Sequence, residues 1–112
     1  MTDRHASLLA VLRRATADLS GVTEKAMFGC PAFFVSGTIF ALLSKEARIA
    51  VKVKDETLHA KLLAHEGAEA WSPGARTMKS WVLVGPKLET PRSLAPWLAK
   101  AHAAAALVKP GR

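Results

Sequence analysis

The chain has 112 residues, half of them apolar, enough for one domain with a real core and too few for two. Its single cysteine, Cys30, excludes a disulfide framework and any zinc site built on paired cysteines. Sixteen basic residues against nine acidic ones give a net charge of +7, which favours polyanionic partners, although the basic residues are spread along the chain and form no dense run.

Residues 3–19 predict an amphipathic helix. Leu8, Leu12, Ala15 and Leu19 fall on one stripe, and Arg13, Arg14 and Asp18 point away from it. Thr2 or Asp3 can cap its start and Gly21 can end it. Residues 24–28 read as a first strand or an extended lead-in. Gly29-Cys30-Pro31 then breaks it, since Pro31 has no ladder donor. Residues 32–36 and 38–44 form a hairpin joined near Ser36-Gly37, where Gly37 supplies the positive φ of a tight turn. Phe33, Phe34 and Phe40 sit in its apolar runs and are expected in the core. Lys45-Glu46 makes the next turn.

Residues 47–54 carry the clearest strand signal. Ala47, Ile49, Val51 and Val53 alternate with Arg48, Ala50, Lys52 and Lys54, giving one apolar face and one basic face. A sheet covered on one side and wet on the other produces this alternation. An edge position would also account for the lysines, because edge charge discourages aggregation.

Asp55 caps a helix running to about residue 65, with Leu58 and Leu62 facing inward and Gly67 placed to end it. Residues 68–79, with Pro73 and Gly74, read as a loop that Trp71 anchors to the core. Residues 80–84 are a final strand, ended by Gly85-Pro86. A last helix spans about residues 93–108, with Leu94, Trp97, Ala101, Ala104 and Val108 as its buried stripe. Pro96 fits only in its first turn, which puts the cap near Ser93 or makes Pro91-Arg92 a separate turn. Residues 109–112 are a frayed tail.

The expected fold is α+β: a single antiparallel sheet of four to five strands, with N-terminal, middle and C-terminal helices packed on one face. Residues 1–112 form one domain. No apolar run approaches the roughly 20 residues of a membrane helix, and Arg13 and Arg14 interrupt any signal-peptide core. One unpaired thiol fits a reducing interior, so the expected location is cytoplasmic, with no membrane partner.

Lys25-Ala26-Met27-Phe28-Gly29, then Phe34-Val35-Ser36-Gly37 and Ile39-Phe40-Ala41, resemble the N-terminal domain of the TfoX/Sxy family. Val51-Lys52-Val53-Lys54-Asp55, Pro73-Gly74, Met78-Lys79-Ser80-Trp81-Val82, and Leu94 with Trp97 continue the match in order, over about residues 20–106. The resemblance implies a small α+β domain of bacteria and archaea that often stands alone. Some full-length members regulate competence genes through a chain that includes a second, helical domain. The end of this chain at Arg112 leads to the expectation that the second domain is absent. Many members have Gly-Gly after Met-Phe, where this chain has Gly29-Cys30. The resemblance carries over no catalytic residues.

Cys30 is the candidate reactive thiol, since a turn could expose it and its backbone N–H groups could lower its pKa. A base for it would come from His5, His59, His65 or His102. The bland alternative is a small buried side chain in a tight turn. The histidines have no metal spacing, and His59 and His65 lie on opposite helix faces. Glu66 and Glu69 flank Gly67 as a solvated turn, and no glycine-rich phosphate loop occurs. No metal or cofactor is expected.

The basic face is the better lead. Arg48, Lys52 and Lys54 project from one side of a strand, about 7 Å apart for neighbours two residues away. Lys45 stands beside them at the turn. The resemblance, taken with this face, implies a non-enzymatic regulatory or interaction module that meets a protein partner through residues 45–54 and Lys79. Weak, non-specific nucleic-acid binding by the same face is the first alternative, although no exposed aromatic ring is evident for stacking. A small thiol-dependent enzyme using Cys30 is the second.

Overall fold

The computed structural model describes residues 3–27, 29–72 and 78–107. Among them, α1 spans Asp3–Ala15 and buries Leu8, Leu9, Leu12 and Ala15. The helix stops four residues short of the expected end. The Thr16 hydroxyl donates to the carbonyls of Leu12 (2.8 Å) and Arg13 (3.2 Å), and a series of turns follows. Such back-bonding competes with helix continuation. Leu19 still packs against the core from these turns. Asp3 lies within the first helical turn, and Thr2 falls outside the described residues. Gly21, at φ 69°, turns the chain into the sheet rather than ending the helix.

Among the described residues the sheet has six antiparallel strands, not four or five. They are β1 (Val22–Met27), β2 (Cys30–Val35), β3 (Thr38–Leu43), β4 (Ile49–Lys52), β5 (Glu69–Trp71) and β6 (Met78–Leu83), in the order β1-β2-β3-β4-β6-β5. Gly29-Cys30-Pro31 does not break the sheet. Met27 pairs with Cys30 and Ala26 with Pro31, so the segment is a hairpin, with Gly29 at φ 78°. Pro31 lies one residue outside the last β2–β3 pair, Ala32–Leu42, near the strand start, where a missing donor is tolerated. Phe28 is outside the described residues.

At the next hairpin both Ser36 (φ 51°) and Gly37 (φ 80°) are left-handed. This two-residue turn matches the twist of the flanking strands. A register shift after Phe33 then leaves Phe40 on the same side as Ala41. The predicted loop at 68–79 instead holds β5 and the start of β6. Three residues are too few to show a period, and only pairing with β6 makes β5 a strand. Pro73 and Gly74 lie outside the described residues.

The middle helix, α2 (Glu56–Leu63), is capped by Asp55, whose carboxylate accepts from the Leu58 N–H at 2.9 Å. The last helix, α3 (Pro91–Ala106), starts two residues earlier than expected. Thr90 caps it and Pro91 occupies the first turn. Pro96 is therefore inside the helix. Its buried stripe is Leu94, Leu98, Ala101 and Ala105. Trp97 is half-buried against His65 and Ala104 is exposed, so the expected stripe was rotated; Val108 lies outside the described residues.

Two apolar clusters result. The larger joins all three helices to one sheet face through residues such as Leu12, Phe33, Phe40, Val51, Leu62 and Leu98. The smaller lies on the opposite face and contains Ala32, Leu42, Ala50, Trp81 and Leu83. No described helix contributes to it.

The α2–β5 turn and the end of β6 approach so closely that glycine is required. Gly67 has φ 82°, and a Cβ there would come within 2.6 Å of Pro86 Cδ. At Gly85 an ordinary backbone conformation would still drive a Cβ into the Glu66 carbonyl. We therefore expect Gly85→Ala to lower stability by at least about 2 kcal/mol, read as a shift of the urea midpoint.

Candidate functional site

The structure does not keep the predicted basic row together. Arg48 is a structural clamp. Its Nη2 donates to the carbonyls of Gly67 (2.9 Å) and Val84 (3.2 Å), and its Nη1 meets Glu69 Oε2 at 3.4 Å. Lys45 is exposed at the β3–β4 turn. Lys52 and Lys54 lie at the far end of β4, where Lys52 pairs with Trp81. Lys79, exposed, precedes Trp81 by two residues on β6. The free cations thus divide into Lys45 at one end and Lys52, Lys54 and Lys79 at the other. β4 is also an interior strand, between β3 and β6, so edge protection does not explain its charges.

The face expected to be wet is not. Ala50 is fully buried, and Arg48 and Lys52 are half-buried. Lys52 stands opposite Trp81, and on the neighbouring strand pair Ile39 stands opposite Phe34. Burial, and secondly the positive charge of Lys54, hold the Lys52 amine below the ordinary lysine value.

Around the buried centre of this face, Met27, Phe34, Ile39, Trp71 and Met78 remain half-exposed. Trp71 packs edge-on to Trp81 with centroids 5.4 Å apart, which anchors β5 to this face. Lys25 Nζ lies 5.9 Å from the Phe34 centroid. Phe34, expected in the core with Phe33 and Phe40, thus sits on the opposite side from both. The sequence signal was present: residues 38–43 and 49–51 are apolar at both parities, so neither strand has a purely polar side.

Cys30 is 8% exposed and lines an open cleft of about 320 Å³ with His5, Pro31, Ser44 and Lys45. His5 is therefore the histidine brought to the thiol's cleft. Its Nε2 donates to the Lys45 carbonyl at 3.0 Å. His102 Nε2 donates to the Ser20 carbonyl at 2.7 Å, and His65 stacks edge-on against Trp97. His59 Nε2 is buried without a hydrogen-bond partner among the described residues. A second recess, between Lys52, Lys54, Thr38 and the alanines of α3, holds about 20 Å³, room for one water and no ligand. Among the described residues, no three His, Cys, Asp or Glu side chains gather as metal ligands, and no helix is long and apolar enough to cross a membrane.

A family model described as the TfoX N-terminal domain matches residues 14–105. No curated protein matches the chain.

Two outcomes follow from these charges. Arg48→Ala strands two backbone carbonyls and should lower stability by about 1–3 kcal/mol in chemical denaturation. Lys54→Gln should raise the Lys52 titration towards the ordinary lysine value, as read by NMR of the side-chain amine. Because folding weakens proton binding at Lys52, stability rises with pH from the lowered value up to about 10.4, and Lys54→Gln should shrink that rise.

Proposed function

The chain belongs to the TfoX N-terminal domain family, and on that footing we propose that it is a non-enzymatic interaction module, regulatory in role, that meets a protein partner through the helix-free face of its sheet. One observation carries this reading. A sheet face that no described helix covers presents half-exposed Met27, Phe34, Ile39, Trp71 and Met78 over a packed apolar centre. Contiguous apolar surface rimmed by charge marks a contact site more often than chance exposure does. Lys52 and Lys79 supply the rim, with Lys54 just beyond the end of β4, replacing the continuous row first expected from residue 45 to 54.

Catalysis by Cys30 has less support. The thiol is largely buried, which restricts the approach of a substrate to it.

The test is photo-crosslinking in the cells from which the chain comes. A benzophenone amino acid at Ile39 should give discrete protein adducts, and one at Lys100 on the outer side of α3 should not. Equal adduct patterns, or none from Ile39, would reject the face as the contact site.

A further inference from the structure

Resting on that reading, we propose that the helix-free face binds an acidic peptide segment whose carboxylate seats on Lys52 while its apolar side chains cover Ile39, Phe34 and Trp71. The charge on this face is one-sided. Lys25, Lys52 and Lys79 lie on it by register, Lys54 follows just beyond the end of β4 beside the α3 alanines, and the face's acidic residue among those described, Glu69, is engaged by Arg48. An approaching segment therefore meets net positive charge that nothing on the face neutralises.

Lys52 differs from the other three. Trp81 stands opposite it in the register, and its amine is already partly stripped of water. A carboxylate arriving there pairs with an amine that folding has already partly withdrawn from water, so part of the desolvation is already met. The half-exposed side chains around it can exclude the remaining water, as the rim of a contact centre does. Met27 and Met78 add adaptable surface that accepts more than one apolar shape.

Single-stranded nucleic acid fits this face less well. Base stacking needs open ring faces in succession. Trp81 is 5% exposed, Trp71 is edge-packed on it, and Phe34 has Lys25 5.9 Å from its centroid, so Phe34 and Trp71 offer two separated, partly covered rings rather than a stacking platform. Arg48, the face's guanidinium, is committed to Gly67, Val84 and Glu69.

The experiment pans a phage-displayed library of random dodecamer peptides on the immobilised full chain. Synthetic copies of the enriched peptides and an oligothymidylate probe are then titrated against the wild type and four variants. Enriched peptides should carry Asp or Glu beside Trp, Phe, Leu or Met. Lys52→Glu should weaken them at least about tenfold. Lys52→Met, which keeps the aliphatic stem and guards against a folding artefact, should also weaken them, and Lys100→Glu should leave them within about twofold. Peptides without carboxylates that still need Ile39, tested with Ile39→Asp, would overturn the acidic occupant and leave the protein-contact reading standing. Peptides indifferent to both Lys52 and Ile39, or no enrichment at all, would overturn both. Lys52-dependent capture of oligothymidylate without peptide enrichment would replace the proposal with a nucleic-acid site.

Discussion

Burial of β4 on both sides is the constraint on which the remaining structure depends. Ile49, Ala50 and Val51 are all fully buried, Ile49 and Val51 under the helices and Ala50 on the opposite face. A strand without a wet side must have neighbours on both edges, and β3 and β6 provide them. β6 can reach β4 only after the chain has run out through α2 and returned through β5. The Arg48 clamp fixes that return by holding the carbonyls at Gly67 and Val84 together. The glycines at 67 and 85 remove the side chains that would keep the two backbones apart.

The helices follow from the same arrangement. α1 and α3 pack against each other and on β3, and α2 lies against β6, so one sheet face is roofed over its central strands. The other face is closed by side chains alone. Its small residues, Ala32 and Ala50, sit beneath larger ones from the flanking strands, and Trp81 fills the space beside them. The result is a sheet with a helix-covered core below and a thin apolar layer above. That upper layer is where contact chemistry can be placed without disturbing the fold.

Much of this was legible in the residues. The helical stripe of Leu8 and Leu12, the Asp55 cap and the Ser36-Gly37 turn all express local rules that tertiary packing left intact. The errors came where long-range pairing decides. β5 has too few residues to announce itself, and Pro31 reads as a break unless its position beyond the β2–β3 ladder is known. The expected α3 stripe takes Trp97 and Ala104 where the structure buries Leu98 and Ala105; both sets keep helical spacing from Leu94 and Ala101, and only packing on the sheet decides between them. For the candidate surface, alternation at 47–54 identified the basic side of β4, but charge alone could not separate Arg48, which is spent on the fold, from Lys52. Their difference lies in which carbonyls and rings come within reach, and those belong to residues 67, 81 and 84.

The outer strand β1 has a consequence of its own. Six residues long and largely exposed, it offers a ladder edge, unpaired among the described residues, that a second copy could extend. A two-fold axis normal to the sheet must set residues of like parity against each other. The two alignments of fullest overlap then place Glu24 against Glu24 or Lys25 against Lys25. Identical charges facing across a ladder repel. Glu24 carries its own counter-charge in Arg13, so the repulsion is greatest where Lys25 meets Lys25, and in that register the open margin of the sheet resists pairing with its own copy.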